Sequence, residues 1–286
     1  MPIKLIAMDI DGTLLDSHSL LPPENARAIT EAADRGIEIV IVTGRRFHSA
    51  RAIASRLSCR VELITSNGAL VKSPSGETHL RSLLPVAAAR LVLEATPDFR
   101  PFCGVIFDRP RENQLIFEHI NWEARFMGPY LSRHPEHVAE VVPLTACLDS
   151  EDPVEVLFIA ECQTIRRLVR KLEDHQGSQA YSLSLTEYPR ADVSMLDVLN
   201  RGVTKGSAVA EWARRRGIRR EDVMAIGDNW NDREMLDYAG LPVIMGNSPN
   251  ELKSFGWKAT RSNDECGVAE AIRTYVLNDQ QDKQRD

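Results

Sequence analysis

Apolar residues fall along this chain in short unbroken runs that stop at acidic or turn-forming residues. Ile3 to Met8 is the first, and it ends at Asp9. Such a run suits a strand buried on both faces, as in a parallel sheet. Beyond Pro22 and Pro23, Ala26, Ile29, Ala32 and Ala33 recur at helical spacing and Gly36 stops the helix. Ile37 to Val42 repeats the strand pattern and ends at Thr43-Gly44. Phe47, Ala50, Ile53, Ala54 and Leu57 predict the next helix, and Leu63 to Thr65 a short strand ending at Ser66-Asn67-Gly68. Strand and helix alternate, which predicts a doubly wound parallel sheet.

Residues 85–199 read differently, with more strand-like runs per helix. Cys103 to Phe107, Leu115 to Ile120, Val154 to Ile159, Tyr181 to Thr186 and Val193 to Val198 are the runs. Helical patterns sit near Trp122 to Leu131 and Ile165 to Leu172. This is the grammar of an α+β domain with an antiparallel sheet. The first pattern then returns. A helix begins near Lys205 and carries Ala208, Val209 and Trp212. Val223 to Ile226 is a buried-strand run ending at Gly227-Asp228, and a helix with Met235 and Leu236 follows. Pro242 to Met245 is a strand, and Asn247-Ser248-Pro249 reads as a helix start. The expectation is an α/β protein. Residues 1–84 and 200–286 form a discontinuous Rossmann-like core, and residues 85–199 an inserted α+β domain.

Length agrees with this division, since 286 residues exceed what one compact domain usually needs. A net charge of −6 gives no attraction to nucleic acid or anionic membrane, so neither is expected as a partner. The five cysteines are odd in number, widely spaced and without a CxxC. That argues against a disulfide framework or zinc ribbon and for a reducing compartment. The N-terminus lacks the longer apolar region of a signal peptide, and no apolar stretch approaches the ~20 residues that span a bilayer. A cytoplasmic protein is expected. The final NDQQDKQRD is polar and reads as frayed.

Four features with chemical potential fall where strands end or helices begin, the places where open α/β sheets collect ligands. Asp9-Ile10-Asp11-Gly12-Thr13 puts two acids one residue apart at the end of an apolar strand. Burying them is costly unless a proton or a cation such as Mg²⁺ offsets the charge. A surface turn or a calcium loop would carry the same string. Thr43-Gly44-Arg45 offers a hydroxyl and backbone N–H groups that hold phosphate oxygens, or merely a helix cap. Lys205-Gly206 opens a helix, where a lysine grips a phosphoryl group or simply faces solvent. Asp228, Asn231 and Asp232 follow the next strand, and acids there favour a helix start in any case. Each plain alternative is reasonable alone, but together they require four coincidences at the strand ends of one sheet.

These motifs resemble, in order, those of the haloacid dehalogenase superfamily, and within it the Cof-type phosphatases with a C2-type α+β cap. DIDGT begins at Asp9, VTGR contains Thr43, KG begins at Lys205 and GDNWNDREML contains Asp228. SNGA around Asn67 and SNDECGVA around Asn263 also match, although many relatives carry an acid where Cys266 stands. The resemblance implies that Asp9 attacks phosphorus and becomes a phospho-aspartate. Asp11 would protonate the leaving oxygen and then activate water. Mg²⁺ would be held by Asp9, the Asp11 carbonyl and Asp228. Thr43, Gly44, Lys205, Asn231 and the Ile10 position would bind the phosphoryl group. Asp232 would steady Lys205, and Arg45 and Asn67 would contact the leaving group. The expected substrate is a small phosphorylated metabolite, such as a sugar phosphate, with specificity from the cap. A phosphomutase or phosphotransferase using the same intermediate, a receiver-like signalling module and a silent phosphate-ligand binder remain alternatives at this level.

Other features carry plainer expectations. His134 and His137 read as a surface turn, and His48 as helix surface. The arginines of 214–220 read as a helix end facing solvent. Trp122, Phe126 and Tyr130, spaced i, i+4, i+8, read as a core-facing stripe. Cys59 and Cys103 read as packing residues.

Overall fold

The computed structural model describes residues 2–110, 112–132 and 135–278, apart from the side chains of Pro129 and Arg190. His134 and residues 279–286 of the polar tail therefore lie outside the described residues. The chain divides into two compact units, one of Met1–Arg81 with Thr204–Asp286 and one of Ser82–Val203. In chain order the first unit supplies β1 (Leu5–Met8), α1 (Pro23–Asp34), β2 (Glu38–Val42), α2 (Phe47–Ala54), β3 (Glu62–Thr65), β4 (Leu70–Lys72) and β5 (Thr78–Arg81). The second supplies α3 (Val86–Ala95), β6 (Cys103–Ile106), β7 (Leu115–Phe117), α4 (Met127–Leu131), β8 (Val138–Glu140), β9 (Glu155–Ala160), α5 (Cys162–Glu173), β10 (Tyr181–Tyr188) and β11 (Val193–Asn200). The first unit is completed by α6 (Lys205–Arg215), β12 (Val223–Gly227), α7 (Arg233–Tyr238), β13 (Leu241–Ile244), α8 (Asn250–Lys253), β14 (Lys258–Ala259) and α9 (Gly267–Ile272).

The sheet of the first unit runs β14-β13-β12-β1-β2-β3-β4-β5. Pairings from β14 to β3 are parallel. Period-two alternation explains why the apolar runs have no polar gaps. In β1, Ile6 and Met8 join the cluster that contains Ile29 of α1 and Ile272 of α9. Leu5 and Ala7 join the opposite cluster, with Val209 of α6 and Met235 of α7. Each fully buried large apolar side chain is worth roughly 1.5–3 kcal/mol, and β1 buries a side chain at every position, on alternating faces. The winding reverses at β1, which pairs with β2 on one side and β12 on the other. Asp9 follows β1 and so stands at the switch point, where such sheets bind ligands.

Beyond β3 the sheet continues as an antiparallel hairpin, β4 and β5, that the hydrophobic pattern did not announce. β4 is only three residues long and β5 is half-exposed, so neither makes an apolar run.

The second unit has a six-stranded sheet in the order β10-β11-β9-β6-β7-β8, antiparallel except for β7 with β8. Helices α3 and α5 place Ala89, Val92, Leu93, Ile165, Leu168 and Leu172 in one cluster with Val105, Phe158, Leu196 and Val198. The unit extends a few residues past 85–199 on each side because β11 reaches Asn200. The Asn200 carboxamide donates to the Ser82 hydroxyl, and the Gly202 N–H to the Ser182 hydroxyl. The long helix expected over Trp122 to Leu131 is corrected to α4 alone. An Asx turn at Asn121 bends the chain, with its side chain accepting the Glu123 N–H, and Gly128 packs on the Trp122 carbonyl. Trp122 is consequently 46% exposed and the aromatic stripe is not core. His137 is buried rather than at a surface turn. Arg214 and Arg215 pair with Glu211, Arg216 with Glu38 and Arg219 with Asp222, so ion pairs occupy that basic run.

Helix α6 starts with a capping box, in which Thr204 accepts the Ser207 N–H and the Ser207 hydroxyl receives the Thr204 N–H. Its second residue, Gly206, lies against the backbone of α7, where a Cβ would stand 2.5 Å from the Glu234 carbonyl. Gly206→Ala is expected to destabilise the protein by about 1–3 kcal/mol, the usual cost of overpacking a rigid contact. Urea denaturation checks this; an unchanged midpoint would show that α6 and α7 separate freely.

Candidate active site

The strand ends of the first unit bring four charged side chains together. Lys205, the first residue of α6, is 1% exposed and donates from Nζ to Asp9 Oδ1 (2.7 Å) and Asp232 Oδ1 (2.6 Å). The other Asp232 oxygen accepts the N–H groups of Asp228 (2.9 Å) and Asn229 (3.0 Å). Asp228, after β12, accepts the Thr13 hydroxyl on Oδ1 (2.9 Å). Gly12 has φ +81°, and a Cβ there would collide with the Asp228 carboxylate. Glycine thus serves both the turn and the close approach.

Asp9, Asp228 and Asp232 each offer an oxygen within 4.8 Å of the others, and all three are buried. Three carboxylates beside one ammonium leave two negative charges in a dry place if all ionise. Burial pushes Asp9 up to about 7 despite the opposing pull of Lys205, and Asp232 and Asp11 add to the rise. Asp228 also lies well above the ordinary carboxylate range, through burial and then the Asp232 and Asp9 charges. For Lys205, burial alone would favour the neutral amine, but Asp232 and Asp9 outweigh it and hold the lysine above its usual value.

A divalent hard cation fits this donor set. Its chemistry is all oxygen, its charge matches the deficit, and the site is buried. Both Asp232 oxygens are already engaged by Lys205 and the backbone. Asp9 and Asp228 each keep Oδ2 beyond the bonds to Lys205 and Thr13, and so are the side chains suited to such an ion.

The remaining expected residues surround this centre. Asp11 is half-buried and gripped bidentately by Arg45, Nε to Oδ2 and Nη2 to Oδ1, both at 2.6 Å. Arg45 Nη1 also reaches the Ser49 hydroxyl. Thr43 does not cap α2, whose N-cap is Arg46; its hydroxyl accepts the Arg45 N–H instead. The Thr43 carbonyl accepts the Asn67 N–H. Asn67 is buried in the left-handed region (φ +50°), which asparagine tolerates well, and accepts the Asn231 carboxamide at 3.1 Å. Gly44 packs on that Asn67 carboxamide. The Ile10 side chain is wholly buried, leaving only its backbone to serve the site. Capping accounts for Asn229 and for one oxygen of Asp232 but not for the bond to Lys205. The solvated alternative for Lys205 is excluded by its burial. Thr13 was given no role by sequence reasoning although it stands inside DIDGT; its hydroxyl faces Asp228 only because the turn at Gly12 brings it there.

Residues 6–272 match the family model for haloacid dehalogenase-like hydrolases. A 5-amino-6-(5-phospho-D-ribitylamino)uracil phosphatase of Bacillus subtilis, YcsE, is 32% identical over 275 residues, covering 96% of each chain. An HMP-PP phosphatase of an Enterobacter species is 32% identical over 254 residues, covering 87% of this chain and 86% of its own. The solved structure of a haloacid dehalogenase-like hydrolase from B. subtilis superimposes with a TM-score of 0.78 at 23% identity, covering 96% of this chain and all of that one.

Replacing Lys205 by Met leaves Asp9 and Asp232 buried without their cation. At pH 8 in EDTA this is expected to cost about 3–5 kcal/mol. The folded protein holds a proton on Asp9 up to about pH 7 where the unfolded chain releases it near 3.8. That contribution is therefore present at low pH and lost as pH rises through 7. Without Lys205 the carboxylates rise further, so the loss should shrink markedly at pH 5.5. Chemical denaturation of both proteins at the two pH values checks this; equal losses would refute it.

Proposed function

The chain belongs to the haloacid dehalogenase-like hydrolase family, and from that premise we propose that it is a Mg²⁺-dependent phosphomonoesterase of small phosphorylated metabolites. The observation that carries this reading is the buried Lys205 bonded to both Asp9 and Asp232 beside Asp228. A phosphate dianion approaching a carboxylate is repelled, and cations fixed beside that carboxylate remove the repulsion before the reaction begins. Bound at Asp9, Asp228 and the Asp11 carbonyl, Mg²⁺ would supply further positive charge to the phosphoryl oxygens.

In the proposed reaction an Asp9 oxygen forms a bond to phosphorus as the bond to the ester oxygen breaks. Asp11 delivers a proton to that departing oxygen. It then takes a proton from water, which attacks the phospho-aspartate, releases phosphate and restores Asp9. Thr43, the Gly44 N–H, Lys205 and Asn231 hold the phosphoryl oxygens, and Asp232 keeps Lys205 in place. Arg45 occupies both Asp11 oxygens in this structure, so this pair has to pivot or open whenever Asp11 carries a proton. Arg45 then turns toward the leaving group. Asn67 acts through Asn231, whose carboxamide it orients. The Ile10 backbone completes the phosphate cradle. We place the protein in the cytoplasm because its five cysteines are all unpaired. No helix among the described residues is long and apolar enough to cross a membrane.

Release of phosphate from p-nitrophenyl phosphate with Mg²⁺ tests the chemistry. Asp9→Asn should lower kcat by at least about 10³-fold, the scale on which loss of a nucleophile acts, and EDTA should abolish turnover. Equal release by wild type and Asp9→Asn would end the reading. A panel of phosphorylated metabolites identifies the substrate class, and should include a phosphoribitylamino-uracil and HMP-PP, named for the relatives. Labelled phosphate recovered on a second sugar rather than in water would mark a transferase.

A further inference from the structure

Three asparagines from separate segments hold the turn that follows Asp11. Asn247 Nδ2 donates to the Gly12 carbonyl (2.8 Å), Asn25 Nδ2 to the Leu14 carbonyl (3.0 Å) and Asn263 Nδ2 to the Leu15 carbonyl (3.0 Å). They are linked to the C-terminal part of the unit as well. Asn247 Oδ1 accepts the Asn263 N–H, and Asn25 Oδ1 accepts the Ala269 N–H, both at 3.0 Å. Asn25 and Asn263 are buried; the Asn25 carboxamide spends both donor and acceptor on the backbone, and Asn263 its donor, in a way that no apolar residue reproduces. The held turn carries the Asp11 peptide and the Thr13 hydroxyl that fixes Asp228. Gly12 within it has no freedom to drift, because it lies against the Asp228 carboxylate.

We infer that Asn247 and Asn263, supported by Asn25, are positioning residues for the reaction. They fix the Gly12–Leu15 turn so that the Asp11 carbonyl and Asp228 converge on one cation beside Asp9. This rests on the phosphatase reading above. It also gives the SNDECGVA stretch a role, since Asn263 reaches the turn from there, while Asp264 anchors the Ser17 N–H (2.8 Å). Asn247 and Asn263 act as one unit through their shared bond, so their effects should not add.

The test uses the full chain with Asn247→Ala, Asn263→Ala and the double variant. Asn247 is exposed, so its loss should leave the melting temperature nearly unchanged. On p-nitrophenyl phosphate each single variant should lose roughly 10-fold in kcat with KM within about two-fold, and calorimetry should show Mg²⁺ bound about 10-fold more weakly. The double variant should fall little below the worse single. A merely structural role predicts lower melting temperatures with kcat and Mg²⁺ affinity unchanged, and that result overturns the proposal. So does a folded Asn247→Ala with wild-type values. If wild type binds Mg²⁺ but turns over no phosphate ester, the phosphatase reading fails and the Mg²⁺ affinities still decide the role of the asparagines. A wild type that does neither overturns both.

Discussion

A lysine buried between two aspartates is the constraint on which the first unit turns. Lys205 has no solvent to fall back on, and its ammonium is satisfied only because Asp9 and Asp232 meet it from different strand ends. Attraction alone does not make such a triad stabilising, because desolvating three charges offsets most of the gain. What it does is fix position. The capping box starts α6 at Lys205, Gly206 lets α6 sit against α7, and Asp232 is tied to the backbone of its own loop. The ammonium is therefore held in place before any substrate arrives, which is the condition under which electrostatic stabilisation costs no reorganisation.

The same accounting explains why the carboxylates are uncomfortable. Asp9 and Asp228 are both driven toward their protonated forms by burial and by one another. Nothing in the packing of the sheet requires acids there; Met8 and Ile226, the residues one and two positions before them, are paired across β1 and β12 and wholly apolar. In the proposed reading, a divalent cation shared by both acids offsets the strain of keeping them where they weaken the fold. Fold stability and chemistry thus pull in opposite directions at these two residues.

The fold was legible where burial on both faces writes itself as unbroken apolar runs. β1, β2, β3, β12 and β13 could be found that way, and Pro and Gly punctuation marked their helices. It was not legible where burial is partial. The β4–β5 hairpin has too few apolar residues to show, and the Trp122 to Tyr130 spacing imitated a long helix where the chain makes turns before the short α4. At the site, residue types at strand ends indicated which side chains gather there. Partnerships between them were invisible. No spacing rule joins Arg45 to Asp11 or Asn231 to Asn67, residues separated by 34 and 164 positions, because those contacts depend on how adjacent strand ends lie in the folded sheet.

That distinction bears on how the turn after β1 works. A glycine at φ +81° makes the turn possible, and lets it lie close against the Asp228 carboxylate. Asp11 must change partners during the proposed cycle, whereas the peptide that carries it must stay still. The structure separates the two demands. Among the described residues the Asp11 side chain is held by Arg45, through an ion pair that is partly open to solvent and so weak enough to exchange. The backbone just beyond it is held by carboxamides, two of them buried, which neither titrate nor compete for a cation. An aspartate in the place of Asn25 or Asn263 would add to the negative charge already crowded at Asp9 and Asp228, and a lysine there would bury a cation without an acid to pair it. Neutral amides anchor the turn without disturbing that balance, which is a physical reason for asparagine rather than aspartate or lysine at these positions.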